Sequence, residues 1–248
     1  MARQHHIYGI HAVLAAIRHD TSNVVMLYFG GPRKDQRIQE IRSLATRSHV
    51  PITDVSRDEL AALAGEGRHQ GVVAQLKQIR EFNEDSLEPL LEALHEPPFL
   101  LILDGIQDPH NLGACLRCAD GAGIHAVIAP KDKAVGMTAV VSKTASGAAE
   151  SIPFIQVTNL VRSLEMLKAR GIWITGMDGC AEQSVYDLDL SGPCAIVLGA
   201  EGKGLRRLTR EHCDYLAKIP MAGQVESLNV SVAAGVCLFE AVRQRNNV

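Results

Sequence analysis

The chain has 248 residues, of which 46% are hydrophobic, 21% charged and only 4% aromatic. This composition is typical of a folded globular protein and excludes intrinsically disordered and collagen-like chains. The formal net charge is −3 and the isoelectric point is about 6.4, so the chain as a whole lacks a basic field. A nucleic-acid binder of this charge must therefore concentrate its positive residues locally.

No segment predicts export or membrane insertion. Residues 1–10 lack the apolar core of a signal peptide, and the apolar stretch 230–242 is too short to cross a bilayer and contains Glu240. The six cysteines are scattered through apolar segments, so we expect reduced, mostly buried thiols in a cytoplasmic protein. Cys115 and Cys118 form a CxxC pair, but no second close Cys or His pair completes a metal set, and we expect no metal site.

Apolar periodicity predicts a small α/β domain over residues 1–77. The predicted helices are HAVLAAIRH, DQRIQEIRSLATRSH and RDELAALAG, and the predicted strands are VVMLYF, PITDV and GVVAQL. Residues 78–97 are charged and lack a strand pattern, and the Pro97-Pro98 pair stops any helix there. We therefore expect a linker over 78–97 that contains at most a short helix around SLEPLLEAL.

Residues 98–248 alternate between strand and helix patterns. The predicted strands are FLLILDG, HAVIAP, IPFIQV, IWITGM, CAIVLG and LAKIPM. The predicted helices are NLGACLRCADGAG, AVVSKTASGAAE, NLVRSLEMLKARG and SLNVSVAAGVCLFEAVRQR, the last with Ser227 as its N-cap. This alternation predicts an α/β fold with an open parallel sheet, in which ligands bind beyond the carboxyl ends of the strands. The chemistry is therefore expected in the loops after FLLILDG, CAIVLG and AKIPM.

The first of these loops opens a helix with a polar cluster. Asn111 and Arg117 are separated by roughly two helical turns, so both can face one side near the strand ends. The free N–H groups of a helix start bind anions, and the planar guanidinium of arginine suits phosphate. The residues alone also allow Asn111 to cap the helix and Arg117 to be a solvated surface charge.

The second loop, from Leu198 to Gly204, is rich in glycine and contains Glu201. Its sequence fits neither a dinucleotide-binding fingerprint nor a phosphate-binding loop that ends in Lys-Ser or Lys-Thr. The glycines allow a ligand to approach the backbone closely, and a basic run over 205–210 follows at once. This run is equally consistent with a site that binds a polyanion and with a charged face that contacts only solvent.

The third loop runs from Ile219 to Asn229 and joins a strand to the last helix. Its backbone can offer unpaired N–H and C=O groups to a flat heterocycle, while Ser227 and Asn229 add polar side chains. A capping role for Ser227 is compatible with this interpretation.

Together the three loops resemble the three motifs of the SPOUT class of RNA methyltransferases, in its SpoU/TrmH branch. N-x-G-x-x-x-R runs from Asn111 to Arg117, L-G-x-E-x-x-G from Leu198 to Gly204, and I-P-M-x-G-x-V-x-S-L-N-V-S from Ile219 to Ser231. Glu226 departs from the motif, since Ser or Gln is more familiar there. The segments YGIHAV and HQGVVA are similar to the small RNA-binding domain that precedes the catalytic domain in bacterial 23S rRNA guanosine 2′-O-methyltransferases.

The resemblance implies a particular architecture and cofactor. Residues 98–248 would form a parallel-sheet domain with a deep trefoil knot, which is rare because protein chains almost never thread through their own loops. Residues 1–77 would form a small α/β RNA-binding domain resembling ribosomal proteins. The protein would use S-adenosylmethionine without a metal and form a homodimer through its last helix and its first-motif helix. The implied cofactor contacts are Leu198, Gly199, Ile219, Met221 and Leu228.

For catalysis the resemblance implies five residues, Asn111, Arg117, Glu201, Ser227 and Asn229. Arg117 matches the catalytic arginine, which we expect to anchor a phosphate and stabilise the developing alkoxide, because a guanidinium stays protonated. Asn111 would orient Arg117 or the ribose, and Glu201 would hold Arg117 or Asn229. Ser227 and Asn229 would line the acceptor side.

The implied reaction is 2′-O-methylation of a guanosine ribose in the peptidyl-transferase region of 23S rRNA, with no DNA or membrane partner. The motifs do not encode the RNA, so methylation of a tRNA ribose is an alternative. A non-catalytic rRNA-binding assembly factor of the same fold is a second alternative, which the presence of Arg117, Asn229 and the glycine loop disfavours. A nucleotide-dependent oxidoreductase is disfavoured, because the sequence lacks the dinucleotide-binding fingerprint.

Overall fold

The structure, a computed structural model, describes residues 5–31, 36–65, 69–77 and 82–246. Contacts divide the described residues into two units, one within 1–80 and 139–151 and the other within 81–138 and 152–248. Each unit contains its own β-sheet.

The first unit is built on a four-stranded sheet of order β1-β4-β2-β3. β4 pairs antiparallel with β1 and β2, whereas β2 and β3 are parallel. All six predicted elements of this region are present, and the short strand β1 is an addition that the sequence pattern did not predict. The elements are β1 (His5–Tyr8), α1 (Ile10–His19), β2 (Val24–Gly30), α2 (Gln36–Arg47), β3 (Ile52–Val55), α3 (Arg57–Ala64) and β4 (Val72–Leu76).

A later segment joins this unit. The sequence predicts one helix over AVVSKTASGAAE, but the structure has two short helices, α6 (Ala139–Ala145) and α7 (Ala148–Ser151). The break falls where Ser146 and Gly147 adopt positive φ angles of 54° and 101°, which a continuous helix does not allow. Because α7 packs against α1, this segment belongs to the first unit and not to the 98–248 domain in which the sequence placed it.

The second unit is built on an eight-stranded sheet of order β10-β12-β9-β11-β6-β7-β8-β5. Every pairing in it is parallel, which confirms the predicted open parallel sheet. Its strands are β5 (Phe82–Asn83), β6 (Phe99–Asp104), β7 (Ala126–Pro130), β8 (Phe154–Val157), β9 (Trp173–Met177), β10 (Gln183–Ser184), β11 (Cys194–Gly199) and β12 (Tyr215–Lys218). Its helices are α4 (Leu87–Glu92), α5 (Pro109–Ala122), α8 (Leu160–Ala169), α9 (Arg207–His212) and α10 (Val230–Arg245).

The predicted linker is shorter in the structure. β5 pairs with β8, and α4 places Leu87 and Leu91 in the core of the second unit. The described part of 78–97 therefore packs with this unit from Phe82 onward. The short helix expected around SLEPLLEAL is present as α4, but the sequence did not indicate that it packs into the core of the second unit.

Two helical layers cover the strands that position the site. All six residues of β6 are buried, as a continuous apolar run predicts. Leu100 and Ile102 pack with Leu164 of α8 in one core cluster, while α10 packs on α5 and on β11. Because β6 and β11 are covered in this way, their carboxyl ends are fixed relative to each other.

The last helix begins two residues later than predicted. Asn229, not Ser227, is its N-cap, and the Asn229 side chain accepts a hydrogen bond of 2.9 Å from the backbone N–H of Ser231. The prediction that Ser227 caps this helix is therefore wrong. Asparagine and serine have similar capping preferences, so the residue types alone could not decide between the two positions.

The described cysteines are free thiols. Burial raises the pKa of Cys115 and Cys237 to about 12, so neither has the low pKa of a redox-active thiolate. Among the described residues, no group of three His, Cys, Asp or Glu side chains is placed to hold a metal ion. In the same part of the chain, none of the helices has the length and apolar character needed to cross a membrane.

Candidate active site

The first two predicted loops meet at the carboxyl edge of the large sheet. β6 ends at Asp104 and β11 ends at Gly199, and these two residues are direct neighbours in the parallel register. The loops that follow them line a cleft of about 610 Å³, together with Asn111 of α5 and Lys133. This is the position that the sheet topology predicts for a ligand.

One hydrogen-bond network joins all three motifs. Asn111 donates from Nδ2 to Glu201 Oε1 at 2.8 Å, and Asn229 donates from Nδ2 to the same oxygen at 2.8 Å. Asn229 also donates to Asn111 Oδ1 at 3.0 Å. The three residues lie 90 and 28 positions apart along the chain, so the fold brings them together. Of the two partners predicted for Glu201, the structure shows Asn229.

The glycine loop is closed by its own backbone. Ala200 and Gly204 exchange hydrogen bonds of 3.1 and 2.9 Å, which form an antiparallel bridge across the turn. A Cβ atom on Gly199 would lie 2.1 Å from the carbonyl carbon of Gly204, far inside van der Waals contact. Glycine is therefore required at 199 because the returning backbone occupies the space of a side chain.

The third loop keeps much of its backbone available. In the described part of the chain, no backbone–backbone hydrogen bond is made by residues 219–228. Leu198 is buried at the end of β11, whereas Ile219, Met221 and Leu228 are partly exposed. Free N–H and C=O groups beside partly exposed apolar side chains suit the polar edge and the flat faces of an adenine ring. The predicted cofactor residues therefore fit S-adenosylmethionine in their chemistry.

Two predicted catalytic residues stand outside the network. Arg117 is exposed on α5, and among the described residues its side chain makes neither a hydrogen bond nor an ion pair. Ser227 is exposed in the third loop. The expectation that Asn111 orients Arg117 has no contact to support it, because the Asn111 amide is engaged with Glu201 and Asn229.

A second pair in the cleft was not singled out from the sequence. Asp104 is fully buried, and its Oδ2 accepts a hydrogen bond of 2.8 Å from the backbone N–H of Arg206. The Arg206 Nε lies 3.4 Å from Asp104 Oδ1. A carboxylate that ends an otherwise apolar buried strand was the signal in the sequence, because a buried charge requires a partner.

Comparison with known proteins agrees with this geometry. Residues 98–239 match the SpoU rRNA methylase family, and residues 6–82 match the substrate-binding domain of RNA 2′-O ribose methyltransferases. The chain belongs to the SpoU rRNA methylase family.

Its relatives cover nearly the whole length. It is 54% identical to the 23S rRNA (guanosine-2′-O-)-methyltransferase RlmB of Pseudomonas putida, over 99% of this chain and 98% of the relative. It is 53% identical to the protein of the same name from Ralstonia nicotianae, over 100% and 99%. Among solved structures, it is similar to the SpoU methyltransferase AviRb from Streptomyces viridochromogenes in complex with AdoMet, with a TM-score of 0.78, 27% identity and coverage of 99% and 91%.

The close approach at Gly199 generates a stability prediction. We expect Gly199→Ala to lower the free energy of unfolding by about 1–3 kcal/mol, because the added methyl group overlaps the backbone of Gly204. Chemical denaturation measures the change. Gly192→Ala is the matched control, since no atom lies within 4 Å of its added Cβ, and it should change stability by less than about 0.5 kcal/mol. Equal stability of the two variants would contradict the packing described for the loop.

Proposed function

We propose that this protein methylates the 2′-hydroxyl of a guanosine in 23S rRNA, with S-adenosylmethionine as the methyl donor, and so acts in ribosome biogenesis. The observation that carries this proposal is the Asn111–Glu201–Asn229 network, which joins the three family motifs and whose Asn111 and Glu201 line the cleft. Relatives of more than 50% identity over the full chain bear the name of this activity.

The reaction requires the protein to position the two reactants more than to activate the methyl donor. S-adenosylmethionine supplies a methyl group on a cationic sulfonium, which is already a good donor. The protein therefore has to hold the ribose 2′-oxygen in line with that methyl group. It also has to ease the loss of the proton from the 2′-hydroxyl. The Glu201 carboxylate fixes two amides at the cleft, and Ser227 and Asn229 line the acceptor side of the proposed site.

Arg117 has an electrostatic role in this proposal. A guanidinium is a permanent cation and not a base, so Arg117 stabilises negative charge on the ribose oxygen and binds a neighbouring phosphate. Its exposure and its lack of a partner among the described residues leave its N–H groups available to RNA. This is the property that a phosphate-binding arginine requires.

Mass mapping of ribose methylation tests the function. In 23S rRNA from cells that lack the protein we expect one 2′-O-methylguanosine to be absent, and the wild-type gene should restore it. In vitro, Arg117→Ala should lower turnover at least about a hundredfold, because the transition state is deprived of a charge partner. Unchanged rRNA with loss of a tRNA ribose methylation would favour the tRNA alternative. Near-normal turnover of the variant would contradict the role of Arg117.

We propose that the first unit contributes RNA affinity. Residues 1–77 contain ten Lys and Arg against seven Asp and Glu, whereas residues 78–248 contain 15 against 21. The positive charge that an acidic RNA-binding protein must concentrate therefore lies in the first unit. The match of residues 6–82 to a substrate-binding domain supports the same assignment.

Neutralising exposed charge in this unit tests its role. Arg47 and Arg57 are exposed, and we expect Arg47→Gln with Arg57→Gln to weaken binding to 23S rRNA fragments. The slope of log affinity against log salt should fall by up to about one for each phosphate that the variant no longer neutralises. Arg162→Gln with Arg170→Gln removes the same charge from the second unit and is the control. An equal loss of affinity with both pairs would contradict the proposal.

We also propose that the protein is a homodimer and that its second unit contains a trefoil knot. α10 leaves Val232 and Phe239 51% and 50% exposed, at a spacing of two helical turns. Two such residues on one face of a helix favour a partner surface over solvent. For the knot, the support is that β12 lies between β9 and β10 in the sheet, although both precede it in the chain.

The dimer has a direct test. We expect Phe239→Asp to shift the sedimentation coefficient from a dimer to a monomer, because the substitution places a charge in the apolar contact. Tyr186→Asp changes another exposed aromatic residue, 51% exposed and outside α10, and should leave the dimer intact. A wild-type protein that sediments as a monomer would contradict the proposal.

A further inference from the structure

The cleft also holds an arginine in a fixed position. The Arg206 guanidinium lies beside the buried Asp104 carboxylate and donates from Nη2 to the carbonyl oxygen of Asp132 at 3.2 Å. It also lies against the backbone of Gly105, where an added Cβ would be 2.9 Å from Nη2. Gly105 has a φ angle of 87°, so this close approach depends on a backbone conformation that favours glycine. Three contacts therefore orient the guanidinium before any ligand binds.

This fixed guanidinium still has donors to offer. Arginine has five N–H donors, and the contacts described engage only Nε and one N–H of Nη2. Arg206 lines the cleft with its side chain 41% exposed. The buried partner is itself incompletely satisfied, since Asp104 Oδ1 makes no hydrogen bond among the described residues. Asp104 thus holds the arginine by charge, while the remaining N–H groups are available to a ligand.

The cleft combines both kinds of polar group with apolar walls. Lys133 and Arg206 supply donors, Asp108 and Glu201 supply acceptors, and Ile106 and Leu205 supply apolar surface. A cleft of about 610 Å³ lies within the range that encloses a small molecule or a nucleotide. The same cleft is bordered by Asn111 and Glu201 of the motif network, so its contents lie next to the proposed ribose site.

We propose that Arg206 binds the O6 and N7 atoms of the guanine base on the nucleotide that is methylated, and that Asp104 is the residue that positions it. This inference rests on the proposed function and assigns the guanosine preference to particular residues. Paired acceptors on the edge of guanine match the parallel donors of a guanidinium, whereas adenine presents an N6 donor at the same place. An adenine base would therefore place its N6 amino donor against the N–H donors of the Arg206 guanidinium.

The mixed polar groups of the cleft match both polar edges of guanine. Lys133, Lys203, Arg206 and Arg207 line the cleft with positive charge, and Asp108 and Glu201 line it with carboxylates. Guanine is neutral, and its N1–H and N2 amino groups can donate hydrogen bonds to a carboxylate. A site with a fixed arginine for the O6 and N7 edge and carboxylates for the N1 and N2 edge is complementary to guanine, whereas a phosphate has no donors for the carboxylates.

The test is a substrate comparison with the full-length protein. Short RNAs are made with either guanosine or 7-deazaguanosine at the position that mass mapping identifies, so that only the N7 acceptor is removed. We expect the wild-type protein to have a kcat/KM about tenfold lower on the 7-deazaguanosine RNA. Arg206→Gln should lower kcat/KM on the guanosine RNA by about tenfold or more and show little further loss on the 7-deaza RNA.

Two further variants separate recognition from folding. Asp104→Asn keeps the shape of the side chain but removes its charge, and it should reduce the preference for guanosine over 7-deazaguanosine while Arg206 is still present. Arg162→Gln lies outside the cleft and should keep the full preference. Calorimetric titration with S-adenosylmethionine should give an unchanged affinity for Arg206→Gln, which shows that the variant is folded.

The outcomes are distinct. Equal kcat/KM of the wild-type protein on the two RNAs overturns the inference, and so does a tenfold preference that persists in Arg206→Gln. If the wild-type protein does not methylate the guanosine RNA at all, the proposed function itself fails. Methylation without coupling between Arg206 and N7 leaves the proposed function intact and removes only the role of Arg206.

Discussion

The register between β6 and β11 determines the geometry of the site. Six residue pairs, from Phe99 with Cys194 to Asp104 with Gly199, bring the first and second motif loops out of the sheet side by side. Both strands are covered on each face, so a slip of one residue would turn apolar side chains out of their core clusters. The burial of these strands, which is a matter of folding, therefore also sets the distances between functional groups.

Beyond the ends of these strands, a few polar contacts fix the loops. Glu201 is exposed, yet one of its oxygens accepts hydrogen bonds from two amides. Hydrogen bonds to a charged acceptor are stronger than those between neutral groups, so a single carboxylate can hold Asn111 and Asn229 together. Asp104 acts in a similar way elsewhere in the cleft, where it engages both the backbone and the side chain of Arg206. Each of these two groups of contacts is thus fixed by one carboxylate.

Much of this arrangement could be predicted from the sequence, because the parallel sheet depends on long apolar runs and the motif residues stand at the ends of those runs. The strand FLLILDG and the loop positions of Asn111, Glu201 and Asn229 follow in this way. The grouping of α6 and α7 with the first unit did not, because it depends on contacts between α7 and α1, which are far apart in the sequence. The short helix at 87–92 could be predicted, but the sequence does not show that Leu87 and Leu91 pack into the core of the second unit. The position of Asp104 at the end of an apolar strand indicates that it needs a partner, but no local pattern identifies Arg206, which lies 102 residues away.

Asn229 serves both folding and the site through the two ends of one amide. Its oxygen accepts from the backbone N–H and the hydroxyl of Ser231 at the start of α10, and its nitrogen donates to Asn111 and Glu201. Aspartate would retain the oxygen for the helix but lose the donor and bring a second negative charge to Glu201. Serine would begin the helix but is too short to span the same distances. The side chain at this position must therefore be a short primary amide, and the chemistry of the cleft and the first turn of the C-terminal helix cannot be altered independently there.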